Sequence, residues 1–228
     1  MTSARYRLAS STSPQLSDRA PTTLVVPLGS TEQHGPHLPV STDSLIAEAW
    51  ADAFAASVGA EELAVAPVLS YGAAGEHQSF AGTLSIGTEA LVTVLIEIVR
   101  SASARFDRVV FLSGHAGNAD ALGRAIAQLR HEGHMVDAVL PVLPGADAHA
   151  GRAETSLMLH LFPDLVRVDQ ASAGATEPVA ELLPRLRAGG TAAVSPNGVL
   201  GDPTGATAAE GEQLLAHLVA HARSVTAL

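Results

Sequence analysis

Apolar residues along the chain fall into short continuous runs, separated by longer segments in which they recur at helical spacing. The short runs predict buried strands at residues 23–28, 63–69, 108–112 and 135–143. Helical spacing predicts helices at residues 44–56, 88–106, 119–132, 154–161 and 206–224, with Thr88 capping the second helix and Gly133 ending the third. Strands that alternate with helices indicate an α/β fold with a mainly parallel sheet covered on both faces.

Two stretches lack such a pattern. Residues 1–20 are rich in Ser, Thr and Arg and predict a flexible N-terminal arm, so a single domain is expected over residues 21–228. Between about residues 170 and 205 the pattern weakens into sequence rich in Gly, Pro and Ala. By contrast, the helix at 88–106 is apolar around much of its circumference, which predicts burial against a sheet or a neighbouring subunit.

Composition narrows the possible chemistry. The 228-residue chain has a formal charge of −10, no cysteine and no lysine. These absences exclude disulfides, thiolate nucleophiles, Schiff-base lysines and the lysine of a phosphate-binding loop. Nucleic acid is a disfavoured partner, because binding a polyanion requires a basic face. No apolar run approaches the roughly 20 residues that span a bilayer, and residues 1–20 contain no secretory signal, so we expect a cytoplasmic protein away from the membrane.

The loop after the first predicted strand carries the first candidate site. Glu32 and His34 are two residues apart, so in an extended segment their side chains project to the same side. Asp43 follows a proline-containing turn, just before a predicted helix. In the alternative interpretation, Asp43 only caps that helix and Glu32 is solvated.

The loop after the strand at 108–112 carries the second candidate site, in the run SGHAGN at residues 113–118. Because parallel strands end at the same edge of a sheet, His115 is expected to lie near Glu32 and His34. Gly114 and Gly117 permit a close approach of the backbone to a ligand. A dinucleotide site is not indicated, since no G-x-G-x-x-G opens the following helix.

Two further segments combine histidine with a carboxylate. His149 and Glu154 lie where the chain enters a predicted helix, and Glu76 and His77 lie in the loop after the second predicted strand. The alternative for Glu154 is a favourable interaction with the helix dipole, and either histidine could be a surface residue.

Without cysteine, any metal site must use imidazole and carboxylate groups, which suit a divalent ion. Asp43 is the candidate for a carboxylate bridging two ions. Neither H-E-x-x-H nor G-x-S-x-G is present, so helical metalloproteases and serine hydrolases with a nucleophile elbow are not indicated.

Four motifs in order, GSTEQHGPHLPVSTD, GEHQSFAGTLSI, GHAGN and HAGRAETSLML, resemble the creatininase family of amidohydrolases over residues 24–210. The resemblance implies a three-layer α/β/α fold, a homo-oligomer with a hexamer as its expected form, and two divalent ions per subunit, with Zn, Fe and Mn as candidates. It also implies that the metal ligands include Glu32, His34, Asp43 and His115.

The sequence departs from the creatinine-hydrolysing members at two points. Those members have a glutamate where this chain has Gly117, so Glu154 is the expected source of the missing carboxylate, with Asp147 and Glu76 as competitors. The family's tryptophan lid also lacks a counterpart, because the only tryptophan, Trp50, lies in a predicted helix. These departures disfavour creatinine as the substrate.

Within the family, the alanine-rich composition, the absence of lysine, the compact length and residues 195–204 (SPNGVLGDPT) most resemble the peptidases of the mycofactocin system. That resemblance implies a partner substrate, a modified ribosomal precursor peptide, which is cleaved near its C-terminus to release a cross-linked Val-Tyr-derived unit.

The expected reaction is attack of metal-activated water on an amide carbonyl. Histidine exchanges protons near neutral pH, so His149 is the candidate that supplies the proton to the departing nitrogen. Glu76 and His77 are further catalytic candidates that would orient the substrate, and Asn118 and Ser113 are candidates for binding it.

Three alternatives stay open. The chain could hydrolyse creatinine, a formamide or a related cyclic amide, which assays of the purified protein would distinguish. It could bind metal as a scaffold without turnover. A nucleotide-binding regulator is disfavoured, since both phosphate-loop motifs are absent.

Overall fold

A computed structural model of the chain describes residues 7–19, 21–59, 63–143 and 145–228. In these ranges a four-stranded sheet has the order β2-β1-β3-β4, and each neighbouring pair of strands is parallel. The strands are β1 (Thr23–Leu28), β2 (Leu63–Val65), β3 (Arg108–Ser113) and β4 (Met135–Val139). This confirms the predicted α/β fold.

The helices are α1 (Ser13–Arg19), α2 (Thr42–Val58), α3 (Gly87–Ala102), α4 (Ala119–His131), α5 (Arg152–Leu161), α6 (Val179–Gly189) and α7 (Ala208–Thr226). Successive strand residues point to opposite faces of the sheet. On one face Val110 and Leu112 pack with side chains of α2, α5 and α7. On the other face Val109 and Phe111 pack with α3 and α4. The sheet is therefore the middle of three layers.

Several predicted boundaries are too long. The second strand ends at Val65, before Pro67, and the fourth ends at Val139, before Pro141. Pro67 and Pro141 have no N–H to donate where these two edge strands would continue. Helix α3 stops at Ala102. The prediction that Thr88 caps α3 is wrong, because the hydroxyl of Ser85 instead accepts from the first helical N–H, at 3.2 Å.

Helix α6 lies within residues 170–205, where the sequence pattern weakens, and the sequence did not predict it. Leu182 is the one buried residue of α6, so the helix has no apolar stripe that a periodicity argument could detect. Pro184 inside the helix adds a misleading helix-breaking signal.

The predicted N-terminal arm lies partly outside the described residues, at 1–6 and 20. Its described part contains α1, and Arg7 forms ion pairs with Glu48 and Asp52 of α2. The flexibility of the arm stays a prediction. In the described ranges, none of the helices is both long and apolar enough to span a bilayer.

Candidate metal centre

The expected metal ligands all lie at the carboxyl ends of the parallel strands. Glu32 and His34 occupy the loop after β1, and His115 follows the end of β3. Asp43 and Glu154 lie in the first turns of α2 and α5. The structure therefore brings together side chains that are up to 122 positions apart in the sequence (154 − 32).

Asp43 lies between two histidines. Its Oδ1 is 3.0 Å from Nε2 of His34, and its Oδ2 is 3.4 Å from Nδ1 of His115. Asp43 is 1% exposed and Glu32 is fully buried, which excludes the alternative of a helix cap beside a solvated glutamate. Each carboxylate oxygen of Asp43 thus faces a different histidine.

Glu32 is surrounded by histidines. Its Oε1 is 3.2 Å from Nδ1 of His115, 3.4 Å from Nε2 of His77 and 3.6 Å from Nδ1 of His149. The rings of His77 and His149 are packed together, with their centroids 4.3 Å apart. Both histidines are buried, so neither is the surface residue that the sequence left possible.

Glu154 joins the cluster from the first turn of α5. Its Oε2 is 3.8 Å from Nε2 of His34 and accepts the backbone N–H of Ala150 at 2.6 Å. Ala150 has a φ of 51°, a left-handed conformation that is uncommon for a residue with a side chain. Such strain persists where the surroundings fix it, and here it directs an N–H at the carboxylate.

Gln33 is a residue that the sequence argument missed, although it stands between Glu32 and His34. Its amide nitrogen lies 2.9 Å from Nδ1 of His77 and 3.0 Å from the carbonyl of Gly198, and its backbone carbonyl is 2.8 Å from Nε2 of His149. The amide nitrogen of Gln33 also lies 3.0 Å from Nε2 of His149, but its two hydrogens are directed to His77 and Gly198, whereas the closer Gln33 carbonyl can only accept. The Nε2–H tautomer is therefore assigned to both rings. Gln33 thus sets the direction in which the two imidazoles present their nitrogens.

Opposite charges in this enclosed space shift one another's pKa values. Burial opposes the charged form of His34, but the Asp43 carboxylate outweighs it and raises the pKa to about 10. Burial and the charges of neighbouring histidines hold the pKa of His149 well below its usual range. Burial raises the pKa of Glu154 to about 7, and burial together with the charge of Asp43 raises that of Glu32.

The donor set fits a divalent metal. Both carboxylate oxygens of Glu32 and Oδ2 of Asp43 are buried without a hydrogen-bond partner in the described ranges, an arrangement that costs free energy unless a cation joins it. Three overlapping groups have ligand atoms within 4.8 Å of one another: Glu32 with His77 and His149, His34 with His149 and Glu154, and Glu32 with Asp43 and His115. Nitrogen and carboxylate donors without sulfur suit a hard or borderline ion.

The space beside Gly117 is already taken. A Cβ atom at this position would lie 2.2 Å from Nε2 of His115 and 2.7 Å from Oε1 of Glu76. Oε1 of Glu76 is 3.6 Å from Nε2 of His115. The other ring nitrogen of His115, Nδ1, faces Glu32 and Asp43. Glu76 therefore lies beside His115 at a distance longer than a hydrogen bond.

Asp147, the other competing carboxylate, is used elsewhere. Its Oδ2 accepts the backbone N–H groups of Arg152 and Asp202, at 3.1 and 2.7 Å. It therefore ties the start of α5 to a neighbouring loop.

Asn118 and Ser113 are buried and hydrogen-bonded within the protein. Asn118 accepts from the N–H of Ala73 at 2.9 Å and donates to the carbonyl of Gly29 at 3.1 Å. Ser113 donates to the carbonyl of His115 at 2.8 Å. These contacts favour a role in positioning three loops over the predicted contact with substrate.

A cavity of about 360 Å³ opens on the cluster. Its lining includes Glu76, His77, His115, His149 and Glu154, together with apolar side chains of α6 and of the segment after β4. A second cavity of about 700 Å³ shares Pro141, Leu143 and Val179 with the first. The cluster thus lies at one part of a longer, mainly apolar groove.

The chain is similar to known proteins of one hydrolase family. The family model named Creatininase, described as creatinine amidohydrolase, matches residues 9–225. The mycofactocin precursor peptide peptidase of Mycolicibacterium smegmatis is 54% identical over 215 residues, which cover 93% of this chain and 87% of the relative. The protein of the same name from Mycobacterium tuberculosis is 52% identical over 219 residues, with the same coverage.

Solved creatininases have a similar fold. A crystal structure of creatinine amidohydrolase has a TM-score of 0.82 and 25% identity and covers 100% of this chain and 98% of its own. A mutant creatininase of Zn-Zn type has a TM-score of 0.81 and 25% identity, with 97% of both chains covered. A structure named Creatininase Mn has a TM-score of 0.81 and 26% identity and covers 97% of this chain and 98% of its own.

Proposed function

The chain belongs to the creatininase family, and on this premise we propose that it is the hydrolase that cleaves the modified mycofactocin precursor peptide near its C-terminus, releasing the cross-linked Val-Tyr-derived unit. The observation that carries the proposal is identity above 50% to peptidases of that name over 93% of the chain. The family makes it a metal-dependent enzyme that acts on amide or peptide bonds.

The groove supports a peptide over a small cyclic amide. Two neighbouring cavities, of about 360 and 700 Å³, share lining residues, so a chain can extend from the cluster along the surface. Creatinine would leave most of this space unfilled. A creatinine or formamide hydrolase is therefore the second candidate function.

We propose that the cluster holds two divalent ions per subunit, with Zn, Fe and Mn as candidates. Glu32, Asp43 and His115 would hold one ion, and His34 and Glu154 the other, with Asp43 between them. A divalent ion there would polarise the amide carbonyl and acidify a water molecule.

His149 is the proposed proton carrier. Its lowered pKa keeps it neutral at rest, and its Nε2–H is engaged by the carbonyl of Gln33, which leaves the lone pair of Nδ1 on the side of Glu32. It can therefore accept a proton from the attacking water at Nδ1 and return it to the departing nitrogen. His77 would hold the ligand Glu32 in place, because its Nε2–H faces that carboxylate. Glu76 lies beside His115 and would hold that ligand in place.

We further propose that the enzyme works in the cytoplasm. From the family resemblance we also propose a homo-oligomer, with a hexamer as its expected form.

Metal-loaded enzyme incubated with the modified precursor peptide tests the function. We expect mass spectrometry to find the Val-Tyr-derived unit and the shortened peptide in equal amounts, and no product after chelation. Creatinine assayed in parallel separates the second candidate. Bound metal with an intact peptide and intact creatinine would indicate a scaffold without turnover.

A further inference from the structure

Helix α6 presents apolar side chains to the cavity that opens on the metal cluster. Val179 is 48% exposed and Leu183 is 39% exposed, and both line this cavity together with Leu186. Exposed apolar side chains grouped in a cavity mark a binding surface more often than chance exposure does. The next helix residue along the chain, Arg187, also lines the cavity.

Arg187 is the one arginine among the described residues that line this cavity. It forms no ion pair or hydrogen bond with any side chain or backbone group in the described ranges. Guanidinium groups bind carboxylates through paired hydrogen bonds. In a chain of net charge −10, an unpaired cation beside the site is suited to an anionic group of a ligand.

The helix is fixed to the catalytic loops. Leu182 is buried beneath α6, and Gly190, with a φ of 69°, follows the helix. A Cβ atom on Gly190 would lie 2.6 Å from the carbonyl oxygen of Glu76, so the end of α6 packs directly on the turn that carries Glu76 and His77. Thr191 lines the same cavity, and its buried hydroxyl has no hydrogen-bond partner in the described part of the chain.

We propose that this surface, formed by Val179, Leu183, Leu186 and Arg187, is a substrate-recognition subsite. The three apolar side chains receive an apolar side chain of the peptide near the bond that is cut, and Arg187 pairs with a carboxylate of the peptide. The carboxylate is either the free C-terminus or an acidic side chain. The inference rests on the proposed peptidase function and adds the features of the peptide that the enzyme recognises.

Steady-state kinetics of the metal-loaded enzyme with the modified precursor peptide test the role of Arg187. We expect Arg187→Gln to raise KM about tenfold, with kcat within twofold of the wild type, and Arg187→Lys to recover part of the loss. Arg185→Gln is the matched control, because Arg185 lies on the same helix, donates to the carbonyl of Ala193 and is absent from the lining of this cavity.

Two peptide variants identify the carboxylate. One carries an amidated C-terminus, and the other carries amides in place of its acidic side chains. If wild-type enzyme and Arg187→Gln have equal KM values on one of these two peptides, the carboxylate missing from that peptide is the group that Arg187 binds. A tenfold difference that persists on both peptides would overturn the pairing with a carboxylate.

Val179→Asn tests the apolar part, with Val168→Asn as the control at an exposed valine outside the groove. We expect KM to rise severalfold in Val179→Asn and to stay unchanged in the control. Cleavage with wild-type KM in both Val179→Asn and Arg187→Gln would overturn the subsite alone. An intact peptide after incubation with the wild-type enzyme would overturn the proposed function and, with it, the subsite.

Discussion

At the scale of single residues, Glu154 and His149 both lie beside His34, but we propose different roles for them. Glu154 has a carboxylate oxygen 3.8 Å from Nε2 of His34 and would be a metal ligand. His149 has its Nε2–H engaged by the carbonyl of Gln33 and would move a proton. We therefore expect Glu154→Gln to lose metal and about a hundredfold in activity together, while His149→Asn keeps its metal but loses most activity.

Metal analysis and turnover of the two purified variants check this prediction. Asp147→Asn is the control carboxylate, since Asp147 caps the segment entering α5 outside the cluster, and it should keep its metal. Full metal occupancy in Glu154→Gln would contradict the assignment of Glu154 as a ligand. Loss of metal in His149→Asn would instead make His149 a ligand, as its place in two of the ligand groups allows.

The sequence could predict which side chains meet, because Glu32 and His115 directly follow strands of one parallel sheet. It could not predict the hydrogen bonds that orient them. The carbonyl of Gln33 accepts from Nε2 of His149 across 116 positions of the chain, a distance over which local spacing carries no information. For the same reason the sequence could not predict that Asn118 and Ser113 donate to loop carbonyls, and their contact with substrate stays a prediction.

At the scale of secondary-structure elements, the position of Glu154 depends on how closely α5 and α7 pack. A Cβ atom on Gly211 of α7 would lie 2.0 Å from the carbonyl oxygen of Ser156 in α5. Gly211→Ala must push the helices apart, so we expect it to lower the free energy of unfolding by about 1–3 kcal/mol. Metal affinity should fall with it, because Glu154 lies on the displaced helix.

Urea denaturation and metal titration measure the two effects. Gly123→Ala in α4 is the matched control, because a Cβ atom there meets nothing within 4 Å. Alanine favours a helix over glycine by up to about 1 kcal/mol, so the control should be more stable than the wild type. Equal stability of both variants would show that the interface between α5 and α7 tolerates an extra methyl group.

Helix α6 illustrates what element prediction misses. Long helices that cover the sheet bury a full apolar face and were predicted from periodicity, whereas α6 buries Leu182 alone and contains Pro184. Its other large apolar side chains, Val179, Leu183 and Leu186, line the cavity beside the metal cluster. Elements that complete a site rather than the core therefore leave little pattern in the sequence.

At the scale of the whole molecule, α3 leaves apolar surface uncovered. Val94 is 37% exposed and lines, with Leu8, Ile98 and Phe106, a surface cavity of about 600 Å³. Together with the family resemblance, this supports a homo-oligomer in which a second subunit covers that surface. Analytical ultracentrifugation should find an oligomer for the wild type and a smaller species for Val94→Asp. A monomeric wild type at working concentration would contradict the prediction.

The metal cluster should also determine how stable the whole chain is. Glu32 is buried with neither oxygen hydrogen-bonded in the described ranges, and the charge of Asp43 repels it. A bound cation removes this cost, and at a hundredfold excess over Kd a ligand stabilises by about 2.7 kcal/mol. For a domain of this size, chelation should therefore lower Tm by about 5–10 °C. Glu32→Gln should lose metal and activity, yet be more stable than the metal-free wild type.

The effect of chelation should increase with pH. Protonated His34 stabilises the metal-free fold fully below the ordinary value of 6.5, and this contribution is lost as the pH rises through the raised pKa of about 10. The protonated carboxyl of Glu154 also stabilises the metal-free fold, and this contribution is lost as the pH rises from 4.5 through the raised pKa of about 7. Metal binding has the opposite dependence, because its ligands must be deprotonated. Calorimetry between pH 6.5 and 9 should therefore find a widening gap between the metal-loaded and metal-free Tm values. A constant gap would mean that these groups do not hold the ion.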